Sequence, residues 1–468
     1  MNIRLVFDNI IDDIRIPNAL PQFIIDDMMH HVKLKGHNIH SYRQKYMMNS
    51  GFLPYASNWD LYFTTQDVDM TSTLNFNTEG YITSTEVTYL YLINTAGNFE
   101  YGMNPVDEQY KELSLKTSYI ENLSDIVVDS LKTKSNFFLY FRNQQEGLTY
   151  TVLEQIYHHC KERDIPLEKI IIQTDSAIFD EYKEKFEKKY NFPLNVKYFM
   201  YPWALQLSSE NIEELTQQKN IVNGFKRNRE YKVVCLNKRL KDYRIAIISF
   251  LLGKKYDNMF LSYDINFGRE YKFIKNLKVY NGQDNIDNLI STLSEGYEIF
   301  LSTQKRIADK MDTDFDKIYF DDYKMYENSY FSIVTESTFF NNLRLTEKIG
   351  KPIINYHPFV VVGPANFLKL LKFYGFKTFG EFWDESYDDE IQPHERFIKI
   401  TKVIDNLMNL TTKEWDVLTK KLESILIYNR NHLETFKCEN VSKEYYENLQ
   451  KIIKNQFNNK YHSILCSE

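Results

Sequence analysis

Between Tyr330 and Asp389 the chain alternates short apolar runs with segments that open on a polar or acidic residue. That alternation leaves few folds open. FSIVT (331–335) reads as a β-strand. Thr346-Glu347-Lys348 then opens a short helix with an acid in its first turn, where the helix dipole favours one. Gly350 and Pro352 are expected to end it, and PIINY (352–356) and PFVVV (358–362) read as further apolar strands. Gly363-Pro364 sets a proline at the start of the next amphipathic helix, which Gly375 closes. Strand, turn and helix in this order build α/β layers, and ligands of such layers collect where strand ends give way to helices. Glu336 and Glu347 both stand at such junctions.

The unit recurs along the chain. NFFLYF (136–141), a polar turn, the amphipathic TYTVLEQIYHHCKERD (149–164) and IPLEKIIIQTDS (165–176) form a βαβ unit. DEYKEKFEKKY (180–190) adds a helix and VKYFMY (196–201) a strand. Upstream, NIRLVF (2–7) and TEVTYLYLIN (85–94) read as strands. A polar stretch ending in a basic cluster, 208–230, marks a connection. YKVVCLN (231–237), YRIAIISFLLGKKY (243–256) and MFLSY (259–263) then restart the strand–helix–strand pattern. After Glu395 the periodicity is helical throughout, Thr411 and Glu414 have capping-box spacing, and no proline follows Pro393. A chain of 468 residues exceeds one ordinary core. The expectation is an α/β fold of two facing Rossmann-like domains, 1–215 and 226–395, with a C-terminal helical segment over 396–468.

Composition narrows the function. An apolar fraction of 43% with 26% charged residues belongs to a globular protein. The aromatic share of 15% is read as a coding bias. A net charge of −7 is unlike the basic face of avid DNA binders. The four cysteines are scattered, without zinc spacing, and suit buried or free thiols of a reducing compartment. The amino terminus lacks the form of a signal peptide and no apolar run reaches the length of a span, so a cytoplasmic enzyme is expected.

The segment Glu336-Ser337-Thr338, followed by Thr346-Glu347-Lys348, resembles the donor-binding motif of GT-B fucosyltransferases. The run through FVVVGPANFLKLLKFYGFKTF and WDESYD is similar to a group of phage- and virus-associated glycosyltransferases. Together the likenesses cover about residues 230–400 and leave the first third uncovered. The resemblance implies a nucleotide-sugar donor, GDP- or UDP-linked, held by Glu336, Ser337, Thr346, Glu347 and Lys348, and for a viral enzyme a place in the host cytoplasm. Carboxylates accept hydrogen bonds from ribose and sugar hydroxyls, and a cation in the first helical turn suits the diphosphate. The other reading of Glu347 is a first-turn acid that only complements the dipole. Glu336 and Glu347 are eleven positions apart, wider than in retaining GT-B enzymes, so an inverting reaction without an essential metal is expected.

A second constellation follows YKVVCLN: Asn237, Lys238 and Arg239 in the turn and Arg244 one helical turn later. GT-B fucosyltransferases look similar here, and the likeness makes Arg244 the first phosphate-binding candidate and Lys238 or Arg239 the next. Arginine matches phosphate oxygens bidentately, whereas Lys241 reads as a solvated basic residue. The base that an inverting transfer requires is expected from the first domain, with Glu146 and Asp175 as alternatives at strand ends. Asp312, Asp314 and Asp316 form overlapping DxD patterns without a preceding strand and read as a solvated acidic loop. His357 lies near the proposed site in the sequence, and Trp383, Glu385 and Tyr387 belong either to its rim or to an acidic loop. The acceptor is a glycan or another hydroxyl compound. Two alternatives stand beside this reading: transfer to modified bases of DNA, and a non-catalytic module that kept the fold.

Overall fold

Runs that are apolar on both faces become interior parallel strands, and the structure, a computed structural model, places them in two separate sheets. It describes residues 2–6, 87–94, 125–142, 150–202, 204–206, 208, 209, 212, 225, 227–237, 240–264, 286–303, 305, 306, 323–340, 342–436, 448, 449 and 451–454. The chain divides into two units, Met1–Trp203 with Cys438–Cys466 and Ala204–Lys437 with Ser467–Glu468. The break after Trp203 precedes the polar stretch read as the connection.

In the first unit, β1 (Asn2–Val6), β2 (Val87–Asn94), β3 (Phe137–Arg142), β4 (Ile170–Thr174) and β5 (Lys197–Met200) lie side by side in chain order. Each neighbouring pair is parallel. Parallel neighbours need crossovers, supplied here by α2 (Tyr150–Glu162) and α3 (Phe179–Tyr190), with α1 (Asp125–Thr133) leading into β3. Phe137, Leu139 and Phe141 of β3 and Ile170 and Ile172 of β4 pack against Leu131, Leu153, Ile156 and Phe186. The intervening Phe138, Tyr140 and Ile171 are buried as well, which explains why these strands read as continuous apolar runs rather than alternating ones.

The second unit contains β6 (Tyr231–Asn237), β7 (Met259–Asp264), β8 (Lys305–Arg306), β9 (Ser329–Thr335) and β10 (Phe359–Val362) in the spatial order β10-β9-β6-β7-β8. All neighbours are parallel except the short β8, which is antiparallel to β7. The chain moves outward from β6 to β7 and β8, then returns to place β9 on the opposite side of β6. Order therefore reverses between β6 and β9, the topological switch point of a doubly wound sheet. Both units thus carry the Rossmann-like α/β layers expected from the sequence.

Helix α4 (Asp242–Gly253) is buried from Tyr243 through Leu252, as its all-round apolar sequence requires. Helix α5 (Asp287–Thr303) crosses it at two glycines. A Cβ on Gly296 would lie 1.7 Å from the Ser249 carbonyl oxygen, and one on Gly253 would lie 2.0 Å from that of Thr292. The remaining helices are α6 (Tyr323–Glu327), α7 (Glu347–Ile354), α8 (Phe367–Phe373), α9 (Pro393–Asn409) and α10 (Thr412–Leu433).

One expectation differs from the structure. PIINY is not a strand: α7 runs through Pro352 to Ile354, because Ile349, Pro352 and Ile353 occupy one buried face at helical spacing. Helices α9 and α10 pack within the second unit. Trp415 of α10 is fully buried; it stacks on Tyr330 and Phe331 of β9 at 5.4 and 5.3 Å and donates Nε1–H to the Leu407 carbonyl at 3.1 Å. The Thr411–Glu414 capping box that opens α10 is formed as the sequence indicates.

The glycine crossing gives a test with a sign. On propensity alone Gly296→Ala should stabilise a helix interior by about 1 kcal/mol. Because the new methyl meets backbone, a loss of about 1–3 kcal/mol is expected instead, measured by urea unfolding; a stabilised variant would remove the close approach.

Candidate functional site at the carboxyl edge of the second sheet

At the switch point the carboxyl ends of β6 and β9 are tied by side chains. Thr335 Oγ1 donates to Asn237 Oδ1 at 2.7 Å, and Asn237 Nδ2 donates to Cys235 Sγ at 3.2 Å. Asn237 is buried and joins the two strand ends. Arg244, in the first turn of α4, is buried and donates from one guanidinium nitrogen to the carbonyls of Thr335 and Glu336 at 3.1 and 2.7 Å. The Glu336 carbonyl also accepts from the Tyr243 hydroxyl, and Glu336 N–H continues the ladder to the Val362 carbonyl at 3.0 Å.

Glu336 is only 1% exposed. Its Oε2 accepts from the Thr346 hydroxyl and from Ser337 N–H at 3.3 Å, while its buried Oε1 has no hydrogen-bond partner. Burial raises the Glu336 carboxyl above the ordinary range, against the lowering influence of the Lys348 charge and the Thr346 hydrogen bond. Thr346 is at once the N-cap of α7, accepting from Lys348 N–H at 3.3 Å, and the donor to Glu336. Lys348 Nζ donates to Ser337 Oγ at 3.1 Å and to Glu347 Oε1 at 2.5 Å. Glu347 is half-buried. Burial alone would raise its carboxyl, but Lys348, the helix's first N–H and Lys351 bring it down to about 2. One cation thus stands between two acids whose surroundings push them in opposite directions, the arrangement that separates chemical roles in enzyme sites.

The structure therefore brings together Asn237, Arg244, Glu336, Ser337, Thr346, Glu347 and Lys348, residues from two stretches about a hundred positions apart. Arg244 joins them with its guanidinium buried against backbone carbonyls. Lys241, read as solvated, reaches the Ser337 carbonyl at 2.8 Å. His357 sits at the opposite end of the sheet, between the Ser329 carbonyl and Ser332 Oγ, each at 2.6 Å, and burial among these groups beside Arg229 drives it down to about 3. Trp383, Glu385 and Tyr387 form packed structure rather than a rim. Glu385 accepts from Thr378 Oγ1 at 2.6 Å and Phe379 N–H at 2.8 Å, and Tyr387 is buried. In the first unit, Asp175 follows the carboxyl end of β4, where Thr174 Oγ1 accepts from Ser176 N–H at 3.0 Å. Glu146, Lys238, Arg239, Asp312, Asp314 and Asp316 lie outside the described residues.

Two further participants, Tyr243 and Arg396, were not singled out from the sequence, and Gly363 was read only as part of a helix start. Tyr243 stacks on Phe339 at 5.3 Å while its hydroxyl holds the Glu336 carbonyl. Gly363 follows β10, and a Cβ there would lie 3.4 Å from Glu336 Cβ and Cγ and 3.1 Å from Val361 Cγ1. Arg396 of α9 is buried and donates to the carbonyls of Gly363 at 3.1 Å, Glu390 at 2.6 Å, Ile391 at 3.1 Å and Phe339. Its signal is a cation on the apolar stripe shared with Ile400, Val403 and Ile404, all buried.

No protein-family model and no curated protein matches the sequence. Among solved structures the chain is similar to a UDP-forming α,α-trehalose-phosphate synthase from Burkholderia vietnamiensis, at 8% identity and a TM-score of 0.39, covering 76% of this chain and 81% of that one. It is similar to the α,α-trehalose 6-phosphate synthase of Burkholderia multivorans at 8% identity and a TM-score of 0.42, covering 97% and 98%. It is also similar to a DNA-modifying β-glucosyltransferase at 10% identity and a TM-score of 0.36, covering 97% and 100%. Among the described residues no helix is long and apolar enough to cross a membrane, and no group of three or more His, Cys, Asp or Glu is placed to hold a metal ion.

The ring of structure around the site carries its own titration. Asp388 accepts from Leu368 and Lys369 N–H at 2.9 and 3.0 Å, capping α8, and burial raises its carboxyl from 3.8 to about 6. A raised acid favours the folded state while protonated, so its contribution is complete below about pH 4 and is lost as pH rises through about 6. Wild-type stability relative to Asp388→Asn should therefore fall by up to about 3 kcal/mol across that window and stay level above it. Urea titrations of both proteins between pH 4 and 8 measure the difference.

Proposed function

We propose that the chain is a glycosyltransferase of GT-B organisation that moves a sugar from a GDP- or UDP-linked donor to a hydroxyl of a glycan or other acceptor. The second unit binds the donor at the switch point between β6 and β9. The observation that carries this reading is the Glu336 carboxyl: buried, held from one side by Thr346 and Ser337, with Oε1 lacking a partner. A buried acceptor left unmatched costs about 1–3 kcal/mol, and the hydroxyls of a ribose or hexose supply the missing donor. Ser337 Oγ and Lys348, beside it, offer polar and cationic partners for the diphosphate. The fucosyltransferase-like motif supports the same assignment on the same residues.

In this reading the transfer is an inverting displacement. A carboxylate of the first unit, Asp175 or Glu146, takes the proton of the acceptor hydroxyl; the acceptor oxygen attacks the anomeric carbon as its bond to the diphosphate breaks. The nucleoside diphosphate leaves carrying the added negative charge. Lys348, with the helix dipole of α7, stabilises that charge, and Glu347 keeps Lys348 in place.

A panel of nucleotides and nucleotide sugars tests the donor. The cognate one, at a hundred times its dissociation constant, should stabilise the protein by about 2.7 kcal/mol, and Glu336→Gln should weaken it by at least about tenfold. A panel without any stabilising nucleotide, or a Glu336→Gln variant that binds like wild type, would sink the assignment. With a donor in hand, Asp175→Asn and Glu146→Gln separate the base candidates. The true base should lower kcat by about 10²–10⁴ at unchanged donor affinity, read by transfer to a panel of saccharides and DNA.

A further inference from the structure

The loop that leaves β9 is held by cations along its backbone. Arg244 takes the carbonyls of Thr335 and Glu336, Lys241 takes that of Ser337, and Arg396 takes that of Phe339. Three positively charged side chains from two separate helices and a turn thus converge on five consecutive residues, and each spends hydrogen bonds on a carbonyl. Described peptide bonds are all trans, and in a trans peptide the N–H points opposite to the C=O of the same plane. Drawing the Ser337 carbonyl towards Lys241 therefore turns the Thr338 N–H to the other side of the loop. Among the described residues that N–H has no acceptor, while the Thr338 hydroxyl is engaged with the Asn342 carbonyl at 3.1 Å.

We infer that this loop is a pre-shaped oxyanion binder: the Thr338 amide donates to a phosphate oxygen of the diphosphate, and Lys241 and Arg396 are positioning residues that set its direction through the backbone. The inference rests on the donor-site reading above and deepens it. Pre-oriented backbone N–H groups in a concave turn bind anions without further rearrangement. The cations that hold the loop add a favourable field while donating to its carbonyls. This separates two kinds of cation at the site: Lys348, which reaches Ser337 Oγ beside the ligand, and Lys241 and Arg396, which act through carbonyls.

The direct test removes the Thr338 N–H, at the cost of a weaker acceptor at the Ser337 carbonyl that Lys241 holds. Replacing Thr338 by its α-hydroxy-acid analogue turns the N–H into an ester oxygen while keeping the side chain. Affinities for inorganic pyrophosphate, the cognate nucleoside diphosphate and the corresponding nucleoside are measured by calorimetry on the full chain. The expected result is a loss of about tenfold or more for both pyrophosphate and the nucleoside diphosphate, with the nucleoside unchanged. Lys241→Met should reproduce the pattern in part, and Lys241→Arg should restore it, which a merely structural lysine would not do. Equal binding of the diphosphate by the ester and wild-type proteins overturns the inference and leaves the donor site standing. Wild-type binding of pyrophosphate but of no nucleotide, weakened by the ester, upholds the loop and overturns the donor reading; binding of neither ligand overturns both.

Discussion

Parallel strands deliver all their carboxyl ends to one edge, and in the second unit that edge must accommodate a carboxyl group removed from water. Everything around Glu336 follows from that burial. Gly363 leaves room beside its Cβ and Cγ; Thr346 is placed to donate to it by the start of α7; the Lys348 charge in the first turn of α7 works against the effect of burial. A carboxyl with only one oxygen matched is costly in a free-standing core and useful in a binding site, where the second oxygen waits for a donor.

The same edge shows how the fold handles buried guanidinium groups. Arg229 donates to the Ser329 carbonyl at 2.5 Å at the amino end of β9, and Arg244 grips the Thr335 and Glu336 carbonyls at its carboxyl end. Strand β9, buried along its whole length, is bracketed by one arginine at each end. Carbonyl oxygens are weaker partners than carboxylates, but they belong to the backbone, so each bond fixes the path of the chain and not only a side chain. Burial lowers Arg229 and Arg396 to about 10, still far above neutrality, so both remain charged clamps under ordinary conditions.

Much of the fold was legible because its strands are short and covered on both faces. FSIVT, YKVVCLN, NFFLYF and IIIQT all became parallel strands, and Thr411–Glu414 became a capping box. PIINY was misleading, since Ile353 and Ile354 next to a proline resemble a strand entry until the buried face of α7 is seen. Of the site, the acids and the Thr346–Lys348 turn were readable as residue types at element junctions. The roles of Lys241 and Arg396 were not, because a lysine in a turn and an arginine in a helix look solvated until the carbonyl that each reaches is in place. Arg244 shows the same limit: its residue type suggested a phosphate, and its hydrogen bonds to the Thr335 and Glu336 carbonyls were not legible from the sequence. Pairings between positions 241 and 337, or 339 and 396, arise from the tertiary arrangement and leave no local trace.

Those long-range grips carry a consequence for how such a chain can change over generations. The loop after β9 and the first turn of α9 are separated by some fifty residues, yet Arg396 binds them into one geometric unit. An insertion or deletion between Glu336 and Phe340 would move the Phe339 carbonyl away from a guanidinium that has no water to turn to. Descendants that alter the loop's length should therefore also alter position 396, and lineages that lose the arginine should show a remodelled loop. Paired drift at these two distant places, rather than invariance at either one, would be the evolutionary mark of the clamp.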